Sequence, residues 1–277
     1  NWKTICEQRT KYELRISYTD EGREIEGHEI EDQSEVFEQS QKSPLLGRKI
    51  RIADSVTNHY WEVNLSINRL PFLKDHFING KFMLPVSTYF EMIHEAVNDL
   101  FPNNETFEVE NPIFSTQIEI FENEPIQLQL KVKIMQPQLL SVNFYYLPSE
   151  DSNWLECASC TVKDLIDKDE LEDAEDLNVN LLSRHHAIET ISKAEFYDRY
   201  SKLNIEYGKY FQCIDKILAF GSNLFFKLQP DERIIHTSGR YGIHPSLMDG
   251  CFQALLLAIP QHKTAIGLKV TSIRRAT

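Results

Sequence analysis

The stretch His76-Phe77-Ile78-Asn79-Gly80-Lys81-Phe82-Met83-Leu84-Pro85 runs into a segment where Phe90, Ile93, Val97 and Phe101 recur at steps of three and four. That spacing gathers the apolar side chains on one face and predicts a helix from Pro85 to about Leu100. Proline suits the first helical turn, where its missing N–H costs little. On the near side, Lys49–Ala53 and His59–Ile67 read as strands, with Trp61, Val63 and Leu65 alternating with polar neighbours. Beyond the helix, Gln117–Phe121, Ile126–Met135, Leu139–Leu147 and Trp154–Val162 are strand-like, and Asp75–Leu84 is read as a loop.

The second half repeats this plan more compactly. A short helix covers about Lys193–Leu203, and strands follow at Phe211–Phe220 and Leu224–Leu228. His244-Pro245 opens a helix to about Leu257, and Ala265–Ile273 closes the chain as a strand. Each half thus carries one long helix with a proline at its start, Pro85 or Pro245, flanked by strands. A curved antiparallel sheet around a central helix is an α+β layer solution. Two copies side by side would put the loop before one helix opposite the start of the other.

Residues 1–42 are polar and charge-rich and read as a linker or N-terminal arm. The texture changes at Ser43-Pro44-Leu45-Leu46-Gly47, where a first subdomain, 43–165, begins. Eight carboxylates crowd between Asp164 and Asp176. Without glycine turns or fixed spacing they repel one another more readily than they enclose a cation, so 166–190 is read as an acidic, solvated linker. The second subdomain is then 191–277.

With 42% hydrophobic and 11% aromatic residues in 277, the chain has material for a sizeable core. No apolar run approaches the roughly 18–20 residues of a membrane span. A net charge of −13 argues against nucleic acid as partner. The start at Asn1-Trp2-Lys3 has neither an initiator Met nor an apolar signal region, and reads as a segment of a longer polypeptide. Five scattered cysteines, Cys6, Cys157, Cys160, Cys213 and Cys251, fit reduced thiols in the cytoplasm rather than a disulfide framework. Cys157-Ala-Ser-Cys160 has the C-x-x-C form, but its flanks read as a strand and no second pair follows; two strand residues are the preferred reading over redox or zinc chemistry.

Three clusters have the residue types for chemistry. His76 can move protons near neutral pH, Gly80 tolerates unusual φ and lets an amide approach a ligand, and Pro85 fixes the helix start. In His244-Pro245-Ser246-Leu247-Met248-Asp249-Gly250-Cys251-Phe252-Gln253, Asp249 and Gln253 are four apart and share a helix face, so Gln253 can hold the carboxyl. Apolar neighbours raise the pKa of such an acid, whereas a helix N-terminus lowers it. Tyr207-Gly208-Lys209-Tyr210-Phe211-Gln212 is a weaker third signal.

Taken together these motifs resemble the dehydratase domains of modular polyketide synthases, which are related to fatty acid synthase dehydratases. The pattern His-x3-Gly-x4-Pro is met by His76, Gly80 and Pro85, and His-Pro-x3-Asp-x3-Gln by His244, Pro245, Asp249 and Gln253. Tyr207-Gly208-x-x-Phe211 matches a third motif, Ser43–Gly47 resembles the domain start, and Ile266–Val270 the closing strand. The similarity covers about 43–275. Val86 departs from it, standing where the family commonly has glycine.

The resemblance implies a double-hotdog fold and removal of water from a 3-hydroxyacyl thioester, giving the 2-enoyl thioester. It makes His76 the base and Asp249 the acid, with Gln253 orienting Asp249, Tyr207 placing the hydroxyl, and the N–H of Gly80 or one near it polarising the carbonyl. It implies no metal or organic cofactor of the domain's own. The substrate would arrive on the phosphopantetheine of an acyl carrier protein, with Arg48, Lys49 and Arg51 or Arg274 and Arg275 as candidate docking residues. Other domains of the synthase are the further partners, and a homodimer is expected. The rival readings are a double-bond isomerase or pyran-forming cyclase on the same fold, a non-catalytic acyl-binding or dimerisation module, and a hotdog thioesterase. Intact His76, Pro245 and Asp249 favour dehydration.

Overall fold

The structure, a computed structural model, describes residues 12–19, 44–53, 56–102, 104–149, 151–167, 189–220, 223–258 and 268–276. The first half contributes strands β1 (Tyr12–Thr19), β2 (Arg48–Ile50), β3 (Asn58–Leu65), β4 (His76–Ile78) and β5 (Lys81–Phe82), then helix α1 (Val86–Leu100). Strands β6 (Asn104–Phe114), β7 (Ile126–Gln136), β8 (Leu139–Leu147) and β9 (Leu155–Asp167) complete it. The second half holds β10 (Glu189–Ser192), α2 (Lys193–Ser201), β11 (Ile205–Tyr207), β12 (Ile214–Phe220) and β13 (Asn223–Leu228). It ends with α3 (Glu232–Thr237), α4 (Pro245–Ala258) and β14 (Leu268–Ala276).

One sheet of eight strands runs in the order β1-β14-β6-β9-β8-β7-β3-β2, antiparallel except for the parallel β1–β14 pair. Its inner face follows from period-two alternation. Trp61 and Val63 of β3 lie opposite Leu130 and Leu128 of β7, which lie opposite Phe144 and Tyr146 of β8. Helix α1 buries Phe90, Ile93, Ala96 and Val97, and Tyr89 meets Phe144 edge-on with ring centroids 4.9 Å apart. The smaller sheet, β10-β12-β13, packs with α2 through Ile191, Phe196, Tyr200, Ile214 and Ile217. Ser192 caps α2 by accepting from the Glu195 amide at 3.3 Å.

The two halves share a core. Helices α1 and α4 pack together, with the rings of Phe90 and Phe252 5.3 Å apart. Leu247, Met248 and Cys251 of α4 belong to the same apolar cluster as the inner face of the large sheet. Two sheets and two central helices form the expected double hotdog. A third sheet, β11-β4-β5, joins the halves directly.

Several elements differ from the sequence reading. The arm contains β1, whose apolar residues Tyr12, Leu14, Ile16 and Tyr18 do alternate. Strand β14 lies between β1 and β6, in the sheet that carries the first half's strands. Strand β6 escaped notice because Asn111, at φ 50°, and Pro112 interrupt its pattern. Gln117–Phe121 is not a strand: Ile118 and Ile120 are buried alternately, but the segment makes only an isolated bridge, Met83 with Glu119. The acidic run begins inside β9 at Asp164–Asp167; residues 168–188 lie outside the described residues.

Candidate active site

Strands β4 and β5 form a hairpin whose two-residue turn, Asn79-Gly80, has φ of 51° and 80°. Positive φ at both central residues is the geometry that matches strand twist, and Asn-Gly is the pair that adopts it most easily. The hairpin returns Met83 to His76: the Met83 amide donates to His76 O at 3.0 Å, and His76 Nδ1 lies 2.8 Å from Met83 O. A carbonyl can only accept, so Nδ1 carries a hydrogen, and in the neutral ring Nε2 is then the nitrogen with the lone pair.

The second half holds His76 from the other edge. Strand β11 pairs with β4, with Tyr207 directly opposite His76. Asp75 O accepts from the Gly208 amide at 2.8 Å, and Asp75 Oδ2 from the Tyr210 amide at 2.9 Å. Gly208 must be glycine here, because a Cβ would run into the Asp75 side chain. The rings of Phe211 and Tyr207 stand 5.1 and 5.6 Å from that of His76.

Asp249 lies in the second turn of α4, 6% exposed, as is His76. Gln253 Nε2 donates to Asp249 Oδ2 at 2.8 Å and to Phe211 O at 3.1 Å, and the Tyr197 hydroxyl donates to Gln253 Oε1 at 3.2 Å. Burial pushes the Asp249 carboxyl up; the nearby His76 and the Gln253 hydrogen bond pull it partly back. Phe211 links the two halves of the arrangement: its ring stands 5.1 Å from that of His76, and its carbonyl accepts from the Gln253 amide that holds Asp249. The start of α4 is fixed by His244, whose Nδ1 accepts from the Ser246 amide at 3.2 Å. Its ring is packed by Phe72, Tyr241 and Tyr210, and burial lowers its pKa to about 3, so it stays neutral.

Residues 43–146 match the family described as "Polyketide synthase dehydratase domain", and residues 183–275 that described as "Polyketide synthase dehydratase N-terminal domain". The chain belongs to the polyketide synthase dehydratase family. The reaction of that family is the dehydration of hydroxyacyl intermediates in a polyketide synthase. Among relatives of this dehydratase, polyketide synthase PksN of Bacillus subtilis is 23% identical over 208 residues, covering 73% of this chain and 3% of the relative. PksM of the same organism is 26% identical over 200 residues, covering 71% and 5%. The chain therefore spans only a small part of these curated relatives.

Among solved structures, the dehydratase domain from the CurF module of curacin polyketide synthase superposes with a TM-score of 0.73 at 24% identity, covering 83% of each chain. The CurK dehydratase of the same synthase gives 0.68 at 22% identity, covering 80% of this chain and 76% of that one. A histidine-to-phenylalanine and an aspartate-to-asparagine variant of CurK dehydratase are both described as inactive mutants. At these identities the likeness shows the fold, the double hotdog.

Within this dehydratase domain the structure brings together His76, Tyr207, Asp249, Gln253 and His244. Pro85 is the N-cap of α1 rather than its first residue, while Pro245 is the first residue of α4. Gly80 sits exposed at the hairpin tip, and its turn accounts for the glycine. Val86 is half-buried at the start of α1. Cys157 and Cys160 are free, buried residues of β9, as strand residues would be. Of the proposed docking cations, Lys49 is paired with Asp99 at 2.8 Å and lies over Trp61, while Arg48 and Arg51 are exposed. The side chains of Arg274 and Arg275 lie outside the described residues.

Sequence reasoning missed Asp75, Tyr197, Phe211 and Glu91. Asp75 stands next to His76 and Phe211 was quoted only as a motif letter, so adjacency was the available signal for those two. It also missed a cluster of Glu91, His94 and Glu95, whose potential ligand atoms lie within 4.8 Å of one another.

Proposed function

We propose that this domain removes water from a 3-hydroxyacyl thioester presented on the phosphopantetheine of an acyl carrier protein, with His76 as base and Asp249 as acid. The observation that carries the reading is the convergence on Phe211 of an imidazole whose Nδ1 is held by Met83 O and a buried carboxyl held by Gln253, whose pKa burial raises. An elimination needs a base without a proton and an acid with one; burial raises the pKa of Asp249, and the Nδ1–H bond to Met83 O leaves His76 Nε2 as the nitrogen to take a proton. His76 Nε2 takes the α-proton, the α-carbon electron pair becomes the new double bond, the β C–O bond breaks, and Asp249 protonates the departing hydroxyl to give water. Gln253 engages Oδ2, which leaves Oδ1 to bear the proton.

The thioester carbonyl gains negative charge as the α-proton leaves, and an aimed backbone amide would stabilise that charge by about 3 kcal/mol. Because Gly80 lies at an exposed turn, the free amides at the start of α1, just after the Met83 carbonyl that holds His76, suit this role better. Tyr207, whose pKa burial raises, keeps its hydroxyl proton and stands beside the imidazole to orient the substrate. The elimination needs a base, an acid and no change of overall oxidation state, and calls for no cofactor of the domain's own. Acyl carrier protein, neighbouring synthase domains and a second copy of the chain are the proposed partners, in the cytoplasm.

Mass analysis of products from a synthetic 3-hydroxyacyl pantetheine thioester tests this. Loss of one water with the thioester intact is expected. Free acid would identify a thioesterase, and unchanged substrate a binding module or an isomerase; a 2-enoyl thioester supplied in its place would reveal the isomerase by a shifted alkene, and one bearing a further hydroxyl would reveal a cyclase by ring closure.

A further inference from the structure

One buried carboxylate is not used by the proposed reaction. Glu91, on α1, is fully buried, and both its oxygens are engaged across the molecule: Oε1 accepts from the Gly242 amide at 2.7 Å and Oε2 from the Ile243 amide at 3.0 Å. Those two amides immediately precede His244-Pro245, where α4 begins. Gly242 leaves no room for a side chain, since a Cβ would run into the His94 ring, one turn along α1 from Glu91. A carboxylate accepting two amides accounts for the position of Glu91 without a cation, although His94 and Glu95 lie close by.

Burial pushes Glu91 up, and His94 together with the two amides works against that shift. For His94, burial alone lowers the pKa, but the carboxylates of Glu95 and Glu91 outweigh it and leave it raised. Each member of the cluster is thus answered by a neighbour, and the charge-assisted bonds to residues 242 and 243 are of the stronger kind.

We infer that Glu91 is a positioning residue for the dehydration: it fixes residues 242–243, and through them His244, the first turn of α4 and the placement of Asp249 against His76. The helix of one half thereby sets where the acid of the other half stands. This rests on the dehydration reading above. Small errors in such placement are costly, since a displacement of about 1 Å can reduce rate roughly a hundredfold.

Glu91→Gln keeps the size of the side chain but turns an NH2 donor toward one of the two amides. The test is steady-state turnover of the 3-hydroxyacyl pantetheine thioester by the parent chain and by E91Q, with melting temperature measured alongside. The expected result is a fall in kcat of roughly tenfold to a hundredfold at an unchanged KM, in a variant folded throughout the assay. Glu91→Asp, which keeps the charge but shortens the reach, should fall between the two and serves in its place if E91Q does not fold. An unchanged kcat, or a loss fully explained by unfolded protein, overturns the inference while leaving the dehydration reading standing. No water loss by the parent chain overturns both.

Discussion

Gln253 Nε2 donates to Asp249 Oδ2 across 2.8 Å, from one turn further along α4. The amide cannot rotate freely, because Tyr197 donates to its oxygen and Phe211 O accepts from its nitrogen. A donor aimed at one carboxyl oxygen lowers the pKa of the acid and leaves the proton to the other oxygen. Glutamine therefore both orients the acid and limits how weak burial makes it.

Gln253→Leu removes that donor at similar volume. The Asp249 carboxyl, already raised by burial, should rise further, so the alkaline limb of kcat moves to higher pH. With the acid no longer oriented, kcat should fall by roughly tenfold. A pH profile of kcat checks both effects.

His244 gives a stability prediction. Its folded-state pKa, lowered from 6.5 to about 3 by burial, lies below that of the unfolded chain. The unfolded chain thus binds a proton first as pH falls, and the stability held above pH 6.5 is lost progressively down to about pH 3. At pH 4.5, two pH units below 6.5, the loss is about 3 kcal/mol. His244→Asn keeps an acceptor for the Ser246 amide, asparagine being a good cap, and removes the titration. Urea denaturation at pH 7 and pH 4.5 should show the parent losing that stability and the variant losing far less.

Gly208→Ala would force a Cβ into Asp75. The 208–210 loop and the Asp75–His76 corner must then separate, at a cost of about 1–3 kcal/mol, typical of overpacking. Because Asp75 adjoins His76, the proposed base, turnover should fall along with the melting temperature. Tyr197→Phe frees the Gln253 oxygen and also removes the hydroxyl that accepts from the buried Ile214 amide at 3.0 Å, so it should lower kcat together with a stability loss of about 1–3 kcal/mol. Differential scanning calorimetry and steady-state kinetics check both variants.

Much of the fold was legible because its signals are local. Apolar residues at steps of three and four, behind a proline, announced α1, a second proline announced α4, and alternation announced β3. Strand β6 was hidden by Asn111-Pro112, and the β1–β14 pairing joins segments from the two ends of the chain, which no local pattern reveals. The site divides in the same way. His76, Asp249 and Gln253 carry side-chain chemistry at readable spacings. Asp75 and Glu91 were invisible because they act on backbone amides 135 to 152 residues away, and any residue type can supply an amide.

The central claim is that a base from one half and an acid from the other act on the same substrate as a unit. Turnover of a 3-hydroxyacyl pantetheine thioester to the alkene, measured for His76→Ala, Asp249→Asn and the double variant, tests it most directly. Each single variant should stay folded and lose roughly 100-fold to 10,000-fold, and the double variant should be no worse than the weaker single one. Either single variant turning over at the parent rate, or losses that multiply in the double variant, would contradict it.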